Sequence, residues 1–474
     1  MDKVIVRLES ISLQNFKNVA NGKLSVDNNR GDYKASILGI YGQNGSGKTA
    51  LIDALELLQS LLCGRPVLAK FADYIKVDSD AAMISYGFGI TMNGETIRTV
   101  YEVSLKKTYD IQPSNIEQYG STSPSYRTEV FKEVVKTLIR SPKGNDRMGR
   151  LMDTDSTGVF DPAPKANLLL GDLKKKRMDL MGLKKYCALS SRSFLFSGEL
   201  LTVIRENAKT NENAERKYYL GIMDALARYG NTELFVVNTA TSGWISLNAQ
   251  PLIFKYEKED HGARGTMMLS LDKPTVIPQT LLTVVQKIVI NMNIVLEQII
   301  PGLTICVKDL GTQLMNGDQV GVRIQLMSKK NNKEIALKYE SEGIKKIVSI
   351  LQLLIVVYNR SSITVAIDEL DSGIFEYLLG ELLRIISEKG KGQLIFTSHN
   401  LRPLETLDKG FVAFTTVNPQ NRYVRLNNVK TNNNLRDFYY RDIMLGEQKE
   451  QVYEPTNNSE IAFAFREAGE AIGS

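Results

Sequence analysis

Short apolar runs separated by polar segments predict a parallel β-sheet. Residues 35–41, 363–367 and 393–397 are almost continuously apolar, which is typical of strands that are buried on both faces. Further strands are predicted at residues 233–237, 244–247, 252–256, 320–327, 334–339, 411–415 and 423–426.

Helical spacing of apolar positions predicts the other elements. A helix over residues 50–62 directly follows the first apolar strand, so the chain begins as strand, loop and helix. Further helices are predicted at residues 131–139, 167–186, 213–228, 278–300, 341–357 and 374–389, and from residue 459 onward. Polar, Pro-containing segments at 109–125 and 141–145 predict loops. No heptad persists over several repeats, so the pattern excludes long coiled-coil arms.

Between the first strand and its helix, residues 42–49 read Gly-Gln-Asn-Gly-Ser-Gly-Lys-Thr and fit the phosphate-loop consensus G-x-x-x-x-G-K-[ST]. Glycines allow a turn whose N–H groups face inward, and the following helix N-terminus adds to this anion cradle. In this motif Lys48 reaches the β- and γ-phosphates, and Thr49 binds Mg²⁺. The predicted phosphate-binding residues are Gly42, Asn44, Gly45, Ser46, Gly47, Lys48 and Thr49.

Two acidic residues end the strand of residues 363–367. A carboxylate at such a strand tip holds Mg²⁺ in P-loop enzymes, so Asp368 is the predicted metal ligand beside Thr49. Glu369 is placed to act as general base on an attacking water. His399 follows the next apolar strand and can contact the γ-phosphate and that water. The predicted catalytic residues are therefore Lys48, Glu369 and His399, although each motif alone is also compatible with a structural strand end or turn.

The order of these motifs resembles one family. The phosphate loop is followed by Ser341-Glu342-Gly343, then Asp368-Glu369, Asp371-Ser372-Gly373 and His399. This order is similar to the Walker A, signature, Walker B, D-loop and switch histidine of ATP-binding-cassette (ABC) ATPases. Residues 13–19, Leu-Gln-Asn-Phe-Lys-Asn-Val, resemble the N-terminal segment of the SMC, RecF and OLD branch. The Ser-Glu-Gly signature, in place of a double glycine, resembles OLD-like ATPases of bacterial defence systems.

The resemblance covers residues 1–105 and 270–415 and implies an α/β fold: an ABC-type ATPase head, with a P-loop parallel sheet and an antiparallel β subdomain, and a mainly helical insertion. The predicted division is 1–105, the N-terminal half of the head; 106–235, a helical and basic insertion; and 236–474, the C-terminal half. It also implies ATP and Mg²⁺ as cofactors. Composite sites would form between protomers, with Ser341, Gly343 and Asp371 contacting nucleotide, so the chain would be at least a dimer. Gln59 is a weak candidate for the glutamine that senses Mg²⁺ in this family.

Composition limits the location of the protein. The chain of 474 residues has no run of ~18 apolar residues, so no membrane span is predicted. Its N-terminus lacks the apolar region of a signal peptide. The three cysteines, Cys63, Cys187 and Cys306, lack metal-site spacing and are typical of reduced thiols. The expected location is the cytoplasm.

Positive charge is concentrated in the insertion. Residues 131–190 contain thirteen Lys and Arg against seven Asp and Glu, an excess of six that equals the net charge of the whole chain. Residues 174–177, Lys-Lys-Lys-Arg, form the densest run, and Lys184 and Lys185 follow. One interpretation is a surface for DNA or for an acidic protein. The other is an ordinary solvated helix face.

The segment after His399, about 75 residues, contains no Asp-x-Asp pair. It is too short for the TOPRIM nuclease that follows the ATPase in OLD proteins, so any nuclease or toxin is expected on a separate chain. The sequence resembles most the ATPase subunits (AriA) of the PARIS anti-phage system. In that family the ATPase assembles into higher oligomers, up to a hexamer, and releases a TOPRIM nuclease when a phage DNA-mimic protein is sensed. Septu and retron-associated defence ATPases, and a RecF-like repair ATPase that binds DNA directly, are the alternatives.

Overall fold

The computed structural model describes most of the chain. The described residues are 4–27, 34–109, 126–139, 147–155, 158–210, 213–246, 249–258, 261–315, 320–331, 333–425, 434–445 and 450–471. The predicted loops at 109–125 and 141–145 lie almost entirely outside them, as does Leu426 of the last predicted strand.

The described residues form eighteen strands and thirteen α-helices. The strands are β1 (Ile5–Phe16), β2 (Val19–Ser25), β3 (Ser36–Tyr41), β4 (Ala82–Met92), β5 (Glu95–Tyr109), β6 (Tyr126–Ile139), β7 (Arg147–Thr154), β8 (Leu234–Val237), β9 (Ala249–Lys258), β10 (His261–Ser270), β11 (Thr275–Pro278), β12 (Leu303–Leu314), β13 (Val320–Lys330), β14 (Lys333–Ala336), β15 (Thr364–Ile367), β16 (Gln393–Thr397), β17 (Val412–Thr415) and β18 (Tyr423–Val424). The helices are α1 (Lys48–Leu62), α2 (Lys70–Asp73), α3 (Ala163–Leu170), α4 (Leu173–Leu189), α5 (Gly198–Thr210), α6 (Ala214–Arg228), α7 (Thr239–Ser246), α8 (Gln279–Ile299), α9 (Glu342–Asn359), α10 (Glu376–Lys389), α11 (Pro403–Thr406), α12 (Leu435–Leu445) and α13 (Asn458–Ala471).

A six-stranded sheet in the order β18-β17-β3-β16-β15-β8 carries the predicted motifs. Its five strands from β17 to β8 are parallel, and β18 pairs antiparallel at one edge. Strands β3, β15 and β16 are buried along their whole length, as their apolar runs predict. Because the strands are parallel, their carboxyl ends lie along one side of the sheet, which is called its edge below. The segments that follow β3, β8, β15 and β16 all leave the sheet there.

A second six-stranded sheet, β2-β1-β4-β5-β6-β7, is antiparallel throughout. Helix α1 packs between it and one face of the parallel sheet in a shared apolar core. The hydroxyl of Tyr86 on β4 donates to the Ala54 carbonyl of α1 at 2.6 Å, which ties the two layers together. Helices α8, α9 and α10 and the small sheet β11-β13-β12 cover the opposite face in a second core. These sheets confirm the predicted fold class, an α/β head with a parallel P-loop sheet and an antiparallel subdomain.

The helix predicted at 131–139 is wrong, because these residues belong to strand β6. Strand β6 pairs with β5 and β7, and its pairing with β5 leaves Phe131 as an extra residue between Val130 and Lys132. Val134 and Val135 are both buried, although neighbours in a strand point to opposite faces of the sheet. The β-bulge and the burial on both faces break simple alternation, and the resulting apolar spacing resembles that of a helix. The three-part division of the chain stays a prediction, with β6 and β7 extending the sheet that begins in its first part.

Two other predictions need correction. The strand predicted at 244–247 falls largely in helix α7, which begins after Asn238. The Asn238 side-chain oxygen accepts from the Thr241 backbone N–H at 2.9 Å, as a helix N-cap does. The single helix predicted at 167–186 is two helices, α3 and α4. Gly171, at φ 82°, separates them, and the side chain of Asp172 caps α4.

Helix α8 is, among the described residues, the one helix long and apolar enough to cross a membrane. One of its faces is buried in the second core. The side chain of Asn293 on this helix bonds both the N–H and the carbonyl of Ile305 at 2.8 Å, so α8 is anchored to β12. The packing is one-sided, because only 28% of the most apolar stretch of α8 is buried.

Candidate nucleotide-binding site

The phosphate loop connects β3 to α1 through three glycines with positive φ. Gly42, Gly45 and Gly47 have φ angles of 149°, 75° and 98°. A Cβ at position 42 would lie 1.8 Å from the Thr415 hydroxyl, so only glycine fits there. Ser46 donates to the Gln43 carbonyl at 2.5 Å, which closes the loop. The loop therefore has the backbone turn that an anion cradle requires.

Lys48 lies at the start of α1, with its ammonium folded back over the loop. Its Nζ donates to the carbonyls of Gly42 at 2.8 Å and Gln43 at 3.0 Å. Burial lowers the pKa of Lys48, and the carboxylates of Asp368, Glu369 and Asp371 oppose this shift. A phosphate that entered the loop would replace the two carbonyls with charged acceptors, which form stronger bonds to an ammonium.

Asp368 ends β15 and is fully buried. Its carboxylate accepts from the hydroxyls of Thr397 at 2.5 Å and Thr239 at 2.6 Å. The Thr49 hydroxyl lies 3.5 Å from Asp368 Oδ1. A hydroxyl and a carboxylate oxygen at this separation fit Mg²⁺, which prefers hard oxygen ligands and keeps several waters.

Glu369 has a φ of 49°, which is uncommon for a residue with a side chain. Its backbone N–H donates to the Thr397 hydroxyl at 2.8 Å, and its carbonyl accepts from Ser372 N–H at 3.1 Å. These contacts hold the chain in the turn that follows β15. Strained backbone of this kind concentrates at functional sites, where the surrounding structure holds it.

Asp371 and His399 meet at the next strand end. The Asp371 carboxylate accepts from the backbone N–H groups of His399 at 3.1 Å and Asn400 at 3.0 Å. The hydrogen bond from His399 to Asp371 comes from the His399 backbone, and His399 is an exposed residue. Asp371 thus links the loop after β15 to the loop after β16.

Ser341 caps helix α9, where its hydroxyl accepts from the Ile344 N–H at 3.3 Å. Gly343 lies against the backbone of Gly373, because a Cβ at position 343 would meet the Gly373 carbonyl at 2.3 Å. The signature and the D-loop are therefore packed together within one chain.

A cavity of about 250 Å³ opens at the phosphate loop. Residues 45–50 line it together with Lys17 and Asn18, from the segment that follows β1. Lys17 forms an ion pair with Asp53 of α1, and the Asn18 side chain donates to the Gly45 carbonyl. Neither Ser341 nor Gly343 lines this cavity.

Sequence reasoning missed several residues of this site. Thr239 and Thr397 both hold Asp368, and each stands at the end of a parallel strand next to β15. That position is a signal that could have found them. Lys346, on the apolar face of α9, is 4% exposed. Burial lowers its pKa, and the charges of Glu369, Asp371 and Asp368 oppose the shift.

Gln59 does not belong to the site. Its amide donates to the Leu234 carbonyl at 2.5 Å, at the beginning of β8 and therefore at the opposite edge of the parallel sheet. The loop is instead supported by residues near β18. The Tyr423 hydroxyl donates to the Gly47 carbonyl at 2.8 Å, and Arg422 donates to the Asn18 carbonyl at 2.7 Å.

One family of known proteins matches part of the chain. Residues 10–145, which include the phosphate loop, match the family described as AAA domain. No curated protein matches the chain.

Solved structures with similarity to the chain include SMC head domains and a recombination mediator. The SMC head bound to the C-winged helix domain of ScpA has 12% identity and a TM-score of 0.39, with 88% of this chain and 98% of that chain covered. The SMC head domain from Thermotoga maritima has 14% identity and a TM-score of 0.36, covering 89% and 99%. The recombination mediator RecF with ATP has 15% identity and a TM-score of 0.33, covering 84% and 94%.

Proposed function

We propose that the chain is an ATP-hydrolysing ABC-type ATPase whose composite sites form between protomers. The observation that carries this proposal is the gathering of Lys48, Thr49, Asp368 and Glu369 at one edge of the parallel sheet. Ser341 and Gly343 lie outside the phosphate cavity, so the signature of a second copy would complete it.

The described residues support a hydrolytic step at this edge. The loop N–H groups and Lys48 bind the phosphates, while Thr49 and Asp368 would hold Mg²⁺, which neutralises phosphate charge when bound. Glu369 would accept a proton from the attacking water, and His399 would contact the γ-phosphate of the same nucleotide. Ser341 and Gly343 of a second copy would direct the N-terminus of α9 at that phosphate. ATP would thereby stabilise the dimer, and its hydrolysis would loosen it.

We further propose that this ATPase acts in bacterial anti-phage defence in the cytoplasm, where it controls a separately encoded toxin, a TOPRIM-type nuclease. The Ser-Glu-Gly signature supports this assignment through its resemblance to PARIS-type ATPases. The trigger would be an acidic DNA-mimic protein. Exposed cations on α4, Lys174, Lys175, Arg177 and Lys185, offer a surface of complementary charge.

Direct DNA binding, as in a RecF-like repair ATPase, is a second candidate that the same α4 cations favour. DNA binding through phosphate contacts would stimulate hydrolysis and weaken steeply with added salt. A protein trigger with a few rim charges would show a shallower salt dependence, because it releases fewer counterions.

The test is mass photometry of the complex purified from its native operon with ATP, with mass spectrometry of its components. An assembly larger than a dimer that contains a nuclease-like chain supports the defence proposal. An ATP-dependent dimer that binds DNA and has no companion chain contradicts it and favours the repair candidate.

A variant pair tests the hydrolytic step itself. Glu369→Gln should reduce hydrolysis by about 10²–10⁴-fold, because the general base is lost, and should trap the ATP-bound oligomer. Glu376→Gln, an exposed carboxylate in the first turn of α10, is the matched control and should hydrolyse ATP normally. Normal hydrolysis by Glu369→Gln would contradict the assignment of the base.

A further inference from the structure

A second cavity, here called the β6–α4 cavity, lies between strand β6 and helix α4. Its volume is about 490 Å³, within the range of small-molecule sites. The end of β7 and the segment that follows α4 complete its wall. No residue of the phosphate-loop cavity lines it.

The inner wall of the β6–α4 cavity is apolar and partly aromatic. Val130 and Phe131 from β6 face Met181 from α4, and Phe194 closes one side. Met178 lies at the same wall and is 84% exposed, an unusual position for a large apolar side chain. Phenylalanine and methionine side chains contact flat ring systems favourably.

Cations surround this apolar wall. Lys132, Lys185 and Arg192 line the cavity. Within the described part of the chain, the ammonium groups of Lys132 and Lys185 have no hydrogen bond or ion pair. Lys184 is engaged differently, because its Nζ donates to the Gly158 carbonyl at 2.5 Å.

The carboxylates of the cavity are already satisfied. Glu129 pairs with Lys106 at 3.1 Å and with Arg127 at 3.5 Å. Glu133 accepts from two hydroxyls and two backbone N–H groups. The charge left uncompensated in the cavity is therefore positive.

We propose that the β6–α4 cavity binds a nucleoside monophosphate, separately from the ATP site. The apolar wall would receive the flat base, and Lys132, Lys185 and Arg192 would bind the phosphate. The residues that line the cavity include no glycine-rich loop of the kind that binds a polyphosphate. Its concave apolar wall fits one ring system better than an extended acidic chain.

The experiment is isothermal titration calorimetry of the full chain with AMP, GMP, CMP and UMP, each alone. The chain would carry Lys48→Ala, so that nucleotide binding at the phosphate loop is suppressed. At least one monophosphate should bind with a stoichiometry of one per chain. In that background Lys185→Glu should weaken binding about tenfold, as expected for the loss of one charged hydrogen bond.

One more variant separates binding from folding. Lys174→Glu, an exposed change on α4 outside the cavity, is the matched control and should bind normally. The proposal is overturned if no monophosphate binds the folded chain at millimolar concentration. It is also overturned if Lys185→Glu binds as tightly as its parent. Both results leave the proposed ATPase untouched, since they concern a different cavity.

Discussion

Two buried carboxylates show how differently the two large sheets use charge. Asp368, at the edge of the parallel sheet, is held by the hydroxyls of Thr397 and Thr239, with that of Thr49 close by. Glu133, within the antiparallel sheet, is held by the hydroxyls of Tyr101 and Ser193 and by two backbone N–H groups. Hydroxyls rotate and can turn away, whereas backbone donors are fixed.

The difference separates a binding carboxylate from a structural one. Asp368 Oδ1, which lies nearest to Thr49, can release the Thr397 hydroxyl when a cation arrives, while the Thr239 hydroxyl keeps Oδ2 in place. These surroundings suit reversible Mg²⁺ binding. Glu133 fastens the segment after α4 to strand β6, since Phe194 and Leu195 donate to its Oε2 at 2.8 and 3.3 Å. The first carboxylate should control activity, and the second should control stability.

The largest expected effect is on activity at the parallel-sheet edge. Lys48→Ala should reduce ATP hydrolysis by about 10³-fold, because a preorganised cation at the transferred phosphate is lost. Folding should be unaffected, since among the described residues the Lys48 ammonium donates hydrogen bonds only to the carbonyls of Gly42 and Gln43. Steady-state hydrolysis and thermal unfolding would measure both. Lys175→Ala, exposed on α4, is the control, and equal rates in the two variants would break the distinction between the regions.

The next effect is on stability at Glu133. Glu133→Ala should lower the free energy of unfolding by about 3 kcal/mol, because four buried donors lose their acceptor. Glu133→Gln should cost about 1 kcal/mol or less, since its oxygen can serve the N–H groups while the two hydroxyls rotate to accept. Chemical denaturation would measure both. Equal losses in the two variants would show that shape, rather than hydrogen bonding, governs this position.

The native chain and Glu133→Gln should respond differently to pH. Burial raises the pKa of Glu133 above its ordinary value of 4.5, although its hydrogen bonds oppose the shift. When the pKa of a group is higher in the folded chain than in the unfolded chain, its protonated form stabilises the fold. That stabilisation is fully present below the unfolded pKa and is lost as pH rises through the folded pKa. The stability of the native chain relative to Glu133→Gln should therefore fall as pH rises from about 4.5. A difference that stays constant from pH 4 to 8 would contradict this assignment.

A smaller effect should follow at Thr239, which tests whether Asp368 depends on its hydroxyl partners. Thr239→Val removes the 2.6 Å bond, so the Mg²⁺ concentration for half-maximal hydrolysis should rise about tenfold. Thr202→Val, whose exposed hydroxyl bonds only within α5, is the control. An unchanged Mg²⁺ requirement would assign Thr239 a purely structural role.

The smallest effect on the fold should come from the surface of α4. Reversing Lys174, Lys175 and Arg177 to Glu should change the free energy of unfolding by no more than about 0.5 kcal/mol. Lys176 is left intact because its Nζ donates to the Leu170 carbonyl at 3.0 Å. The triple variant should lose binding of DNA or of an acidic trigger in a pull-down or fluorescence assay. Intact binding would leave α4 as a solvated face.

The sequence by itself determined which residues meet at the carboxyl ends of the parallel strands. The phosphate loop is contiguous, and Asp368, Glu369 and His399 each lie within two residues of the end of an apolar strand. Parallel strands bring such strand ends to one edge, so local patterns were sufficient to place these residues together. Helices α1, α6, α8 and α9 were likewise predictable, because apolar spacing is a local signal, to which α6 and α9 add the caps Asn213 and Ser341.

Only the tertiary structure decided what surrounds that edge and what the second region is. Strand pairing is a long-range choice, so a bulged β6 could imitate a helix, and Glu133 and Thr154 become partners only through sheet register. Thr239 and Lys346 reach the acids because β8 and α9 pack beside β15. Gln59 was misplaced for the converse reason, since a helix carries its far end away from the loop at its start.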